Sequence, residues 1–330
     1  MASEPPARVR GCPRLAPEGW ARTWGTRAPA LAAQTPPKRL KLKLDIKLPH
    51  PVRVTSRSLW LPVFVSLFAS ACVAQNNYEI QVYGSETAAP KTLMVELHSN
   101  FTFQGSKEVE DGVLPSEHAL HETIELTEGI TSWSEIGFYI FTCARDGQGW
   151  QWVGDHIRPR VRAPESWHWP VGASLSLEFG YQQAKFSTST WNIEIRPIID
   201  KQKGRLYWSV NPAFDRGLVG LPSDQQWNFE PAVKISWDFT PKVAFGLEYY
   251  GGFGPVTNIS PFTEQSQQFV PAFDLNVSPK WEINFGLGVG VTAGTDHMLF
   301  KVILGRRFDW GNRHHSDTTS KTSMPSVVDD

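Results

Sequence analysis

From Phe269 to Phe308 apolar and polar residues alternate with a period of two. Phe269, Phe273, Leu275 and Val277 stand against Val270, Ala272, Asp274 and Asn276. After Ser278-Pro279 the series Trp281, Ile283, Phe285, Leu287, Val289, Val291 stands against Glu282, Asn284, Gly286, Gly288, Gly290. Period-two runs of this length mean strands with one apolar face and one polar or small face. Each is about ten residues or longer, beyond the usual five or six of soluble sheets. Long strands, tight turns and an apolar face edged by aromatics are what a barrel in lipid requires.

Extending this pattern upstream predicts twelve strands, at 92–105, 119–129, 133–145, 151–162, 171–182, 189–199, 204–214, 227–239, 242–251, 267–277, 280–291 and 298–308. The links between them alternate long and short, 163–170 excepted, as in barrels with long outer loops and tight periplasmic turns. Thr240-Pro241-Lys242 and Ser278-Pro279-Lys280 repeat one turn motif. The expected fold is therefore all-β: a transmembrane, antiparallel, up-and-down β-barrel of about 12 strands. After Ala74 the tryptophans, Trp208 excepted, fall near strand ends or in links, as interfacial girdles do. Pro159, Pro197, Pro212, Pro231 and Pro271 fall on the face read as lipid-exposed. Each removes a ladder donor, so they are expected near strand ends or at bulges. A secreted β-sandwich is the rival if they are not.

Composition alters the picture mainly at the N-terminus. No apolar run reaches the 18 residues of a transmembrane helix, and a mean hydropathy of −0.30 is compatible with strands that turn half their side chains to a polar lumen. Residues 1–50, rich in Pro, Ala and Arg, read as disordered or as a mis-assigned leader; translation from a non-Met codon near Val52 or Val54 would exclude them. Arg53 and Arg57, the apolar run Leu59–Ala69 and the small residues to Ala74 follow the order of a secretory signal over 51–74, with cleavage leaving Gln75 first. A lipoprotein site at Cys72 and an organellar transit peptide are the competing readings. Residues 75–91 then read as a periplasmic lead-in, 92–308 as the barrel and 309–330 as a polar tail. The lead to Ala74 carries 12 of the 32 Lys+Arg and 3 of the 33 Asp+Glu, so the remainder is net acidic. That balance argues against nucleic-acid binding. Cys143 is then the lone thiol, which permits neither a disulfide nor a Cys-based metal site.

The region from about Tyr78 to Phe308 resembles bacterial outer-membrane β-barrels of the porin-like kind, and SPKWEINFGLGVGV is the most similar piece. More weakly it resembles the uncharacterised porin-like family found beside aromatic-degradation pathways. That resemblance implies passage of solutes, outer-membrane lipids and the barrel-assembly machinery as partners, and no defined catalytic residues. The last strand ends in Phe308, as final strands of such barrels do, but here a polar tail follows.

Candidate chemistry is sparse. His98 and Ser99 are adjacent in a strand and point to opposite faces, so they cannot form a phospholipase-like dyad. His314-His315 lacks carboxylates at metal-binding spacing, and Gly286, Gly288, Gly290 precede no helix, so no dinucleotide site is read. No cofactor is expected and no enzyme. Arg158, Arg160 and Arg162 share one strand face about 7 Å apart. They read either as a ladder facing the lumen or as a basic strand end at the periplasmic rim. Inward Glu96, Glu178, Glu194, Asp238, Glu248 and Glu282, with His98, could form the opposing wall, giving a constriction that favours anions. The function expected is a channel for small hydrophilic or amphipathic solutes. A structural or surface-interaction barrel with a closed lumen is the alternative, and a lipid-modifying enzyme a more remote one.

Overall fold

The computed structural model describes residues 77–310. Its strands are β1 (Thr92–Gln104), β2 (Leu120–Thr131), β3 (Ser134–Arg145), β4 (Gly149–Arg162), β5 (Gly172–Gln182), β6 (Ser189–Lys203), β7 (Leu206–Gly220), β8 (Asn228–Thr240), β9 (Val243–Gly252), β10 (Ser266–Ser278), β11 (Trp281–Gly290) and β12 (Met298–Asp309). Each pairs antiparallel with its sequence neighbours, and β1 closes on β12 through partners such as Leu97↔Leu304 and Phe101↔Phe300. Closure leaves no free edge, which is the condition for a sheet in hydrocarbon.

The expected strands recur, with one substantive difference. β6 and β7 extend through 200–203 and 215–220, which read as links. Lys201-Gln202-Lys203 has no apolar alternation and looks like a turn. It is nonetheless paired, Lys201↔Trp208 and Lys203↔Leu206, because Gly204 at φ 59° closes the hairpin in two residues. The repeated Thr-Pro-Lys and Ser-Pro-Lys motifs form equivalent turns: Lys242 N donates to Thr240 Oγ1 (3.2 Å) and Lys280 N to Ser278 Oγ (3.3 Å).

Alternation sets the two faces. Leu97, Ile124, Phe138, Leu177, Ile235, Leu247, Phe273 and Phe300 are exposed, while the residues between them are buried and mostly polar. This inverts a soluble protein and defines a lipid-facing wall. Trp133, Trp167, Trp169, Trp237 and Trp310 ring the short-turn end, and Trp150, Trp152 and Trp191 the long-loop end. Outward Arg306 lies 4.9 Å from the Trp281 ring and 5.1 Å from that of Phe308, a cation held at one interface by aromatics.

The prolines depart from expectation. Pro159, Pro197, Pro212 and Pro271 stand inside strands, not at ends or bulges. Pro212 faces Pro231 directly across β7–β8. Between β6 and β7 the pairing lapses around Pro197 and Pro212, from Ile195↔Phe214 to Ile199↔Val210, and resumes in the same register. A proline deletes one donor without changing strand length, so pairs on either side hold the ladder.

Residues 1–50, the signal region 51–74 and the tail beyond 310 lie outside the described residues. The lead-in 75–91 is corrected: from Asn77 to Ala89 the chain runs not beyond the barrel but inside it, touching inward side chains from one end to the other.

Candidate functional site: a segment through the barrel

Asn77 lies at the long-loop end, where its Nδ2 donates to Asp296 Oδ2 (2.6 Å) and its main-chain oxygen accepts from Asn100 Nδ2 (2.9 Å). Ala88 lies at the short-turn end, its N–H donating to Glu135 Oε2 (2.5 Å). An extended chain of this length reaches about 40 Å, enough to traverse a bilayer core. Segment 77–89 forms no strand of its own. Barrel side chains supply the partners that its backbone would otherwise lack.

Three groups of inward side chains hold it. On β2–β4, Glu125, Glu135, Arg158 and Arg160 form a chain of ion pairs. Arg158 Nη2 lies 2.5 Å from Glu125 Oε1 and Arg160 Nη2 lies 2.6 Å from Glu135 Oε1. Arg160 also donates to the main-chain oxygens of Gly84 (3.1 Å) and Glu86 (2.7 Å). Gly137 faces Arg158 across β3–β4, and a Cβ there would come 3.4 Å from Arg158 Nε, so glycine leaves room for the guanidinium. On β8–β12, Lys234 lies 2.8 Å from Asp274 and 3.3 Å from Glu248; Lys301, also paired with Glu248, donates to Ile80 O (3.0 Å). On β6–β7, Asn211 Oδ1 accepts from Tyr83 N (2.7 Å), Ser209 Oγ donates to Tyr83 O (2.6 Å), and Asp200 takes both the N–H and hydroxyl of Ser85 (3.0 and 2.6 Å).

Tyr83 is the centre of the arrangement. Three guanidinium carbons surround its ring: Arg158 at 4.4 Å, Arg196 at 5.1 Å and Arg160 at 5.6 Å. Cations over one desolvated ring are attracted to its face, and their own carboxylates neutralise them. Ile80 and Val82 pack with Val270, Ala272 and Leu299, and Tyr78 with Tyr139, Phe141 and Val153. The segment is thus fixed by both polar and apolar contacts.

The sequence-chosen residues distribute as follows. Glu96, His98, Glu178, Asp238 and Glu248 are inward and buried. Glu178 binds His156 Nδ1 (2.5 Å), made possible by Gly180, where a Cβ would sit 1.8 Å from the imidazole. Half-buried Glu194 binds Arg196 (2.6 Å), and Glu282 binds Arg307 at the short-turn rim (3.0 Å). The three arginines separate: Arg158 and Arg160 face inward, whereas Arg162 ends β4 and pairs with exposed Glu165 at the rim (2.9 Å). The inward pair is neutralised at contact distance, so no open arginine ladder sets a transverse field. Sequence reading missed the inserted segment, Tyr83, and the partners Glu125, Glu135, Arg196 and Lys301. The four partners sit at period-two inward positions and were findable; nothing in Asn77–Ala89 signals insertion.

Beside the first residues of the segment, at the long-loop end, is a cavity of about 380 Å³ lined in part by Asn77, Tyr78, Glu79 and Gln81. Glu79, Glu178, Glu194, Asp215, Glu230 and Asp296 line it, against Arg196, which Glu194 already occupies. The lining is acidic, with Glu178 held by His156 and Glu194 by Arg196.

Fold and site together define a transmembrane β-barrel whose interior is occupied by its own N-terminal segment. No protein-family model matches the chain, and no curated protein does. Among solved structures it is similar to the KdgM porin (10% identity over 65% of this chain and 99% of that one, TM-score 0.41). It is also similar to an outer membrane channel from Pseudomonas putida F1 (9%, 70% and 100%, 0.46) and to the NanC porin (8%, 66% and 99%, 0.43). At such identities and scores the likeness carries no argument about solute or mechanism. The fold rests on the strand pairing itself.

Proposed function

We propose that this protein is a bacterial outer-membrane channel for small hydrophilic or amphipathic solutes, closed at rest by segment 77–89 and favouring cations at its long-loop mouth. One observation carries the reading: the occupant of the lumen is a single chain segment held by side chains and paired with no strand. Such a segment can leave without opening the sheet, unlike a strand of the wall. The acidic cavity supports the cation preference and replaces the anion preference read from the arginines. Export by the 51–74 signal, cleavage before Gln75 and insertion by the barrel-assembly machinery complete the proposal.

The test is conductance in planar bilayers of the mature chain and of a variant lacking 77–88. The mature chain is expected to be silent or to open rarely, and the deletion to give steady channels. The same plug favours a second reading, a structural or surface-interaction barrel with a closed lumen, working through its loops at 221–227 and 253–265. A correctly folded deletion variant that stays silent would establish that alternative.

A further inference from the structure

Glu96 and His98, which the plugged-barrel reading does not use, form a cluster with Glu125, whose other carboxylate oxygen holds Arg158. Glu96 and His98 are two residues apart on β1, so both point inward, and Glu96 stands directly opposite Glu125 across β1–β2. Two like charges directly opposed in a sheet repel, more so away from water. One donor atom from each of the three residues lies within 4.8 Å of the others.

Several of the polar atoms here make no hydrogen bond. His98 is fully buried, and neither ring nitrogen makes a hydrogen bond; Nε2 is 3.4 Å from Glu125 Oε2, itself without one. Glu125 Oε1 is fully used by Arg158 Nη2 (2.5 Å) and Thr127 Oγ1 (2.6 Å), which turns Oε2 towards the imidazole. Glu96 makes no ion pair among the described residues, and its neighbour across β12 is Gly305, where a Cβ would come 3.1 Å from Glu96 Cγ. Glu96 and Glu125 both line a small cavity of about 60 Å³ that reaches Arg307 at the short-turn end, giving water and ions a way in. Buried imidazoles and carboxylates are ordinarily satisfied, so the unpartnered atoms of His98 and Glu125, converging with the Glu96 carboxylate, point to a missing ligand.

We propose that Glu96, His98 and Glu125 bind one divalent transition-metal ion inside the barrel wall. One imidazole nitrogen and two carboxylate oxygens, with no sulfur, suit a borderline ion such as Zn²⁺ and leave a fourth position for water from the cavity. The ion neutralises the opposed carboxylates and clips β1 to β2 beside the inserted segment.

The test uses untagged, detergent-folded protein and Zn²⁺ alone as probe, with bound metal measured by elemental analysis after gel filtration. One Zn²⁺ per chain is expected in wild type and in His314→Ala/His315→Ala, which removes the tail histidines. It should be lost in His98→Ala and in Glu96→Gln. Co²⁺ added to wild type should give the visible absorption of a tetrahedral site, a readout independent of whether the variants fold. Absence of Zn²⁺ in wild type would overturn the proposal in favour of a proton shared between the carboxylates. Zn²⁺ that survives His98→Ala, or disappears with the tail histidines, would overturn it equally.

Discussion

Nζ of Lys301, on the inward face of β12, donates to the main-chain oxygen of Ile80 at 3.0 Å. The lysine is fully buried and its charge is met by Glu248. One side chain therefore links the barrel wall to the segment that fills it. Lys301→Met is expected to leave Glu248 with Lys234, at 3.3 Å, as its one paired cation among the described residues, beside the neutral donors Tyr250 and Asn284. Breaking a buried pair from one side costs about 3–5 kcal/mol, here towards the lower figure because Lys234 remains. The temperature at which the folded band disappears on unboiled gels should fall, and Glu248→Gln/Lys301→Met should recover part of the loss. Equal melting of the single variant and wild type would show that Lys301 does not secure the segment.

Facing can be tested at two adjacent residues. Phe285 points outward and stacks on Phe273 with centroids 5.5 Å apart; Asn284 points inward and donates to Asp274 (2.7 Å). Phe285→Arg puts a cation against hydrocarbon at about 2–4 kcal/mol near the midplane. Asn284→Arg puts it between Asp274 and Glu248. Yield of heat-modifiable barrel should drop for the first and hold for the second, and equal yields would contradict the assigned faces.

The course of the segment makes a topological prediction. If the mature chain starts at Gln75, its first residues emerge at the long-loop mouth, which faces outward in such barrels. An epitope inserted between Ala74 and Gln75 should be stained by antibody on intact cells. Staining only after permeabilisation would mean that the segment enters from the other side or not at all.

Charge at the mouth should govern ion preference. In the chain lacking 77–88, Glu194→Gln/Asp215→Asn/Glu230→Gln removes half-buried carboxylates from one wall. Reversal potentials under a salt gradient should move towards zero or to anion preference, since lumen substitutions alter selectivity more than assembly. An unchanged potential would remove the acidic cavity from the permeation path.

The period-two pattern was sufficient for the barrel, because strand facing is a local consequence of alternating Cβ directions and lipid demands that the alternation be sustained. That is why Phe285 and Asn284 could be assigned to opposite faces, and Glu96, His98, Glu178 and Glu248 to the interior, from the residues alone. Only the tertiary structure decided what those inward residues meet. Arg158 and Arg160 resemble a selectivity ladder in sequence, but their charges end on Glu125 and Glu135 from other strands, and Arg162 leaves the lumen because β4 stops there. Asn77–Ala89 alternates only briefly, Tyr78, Ile80 and Val82 against Glu79 and Gln81, and its partners are side chains from around the barrel, up to 221 residues away as Lys301 is from Ile80. Contacts at that separation are specified by barrel closure, not by any property of the segment itself.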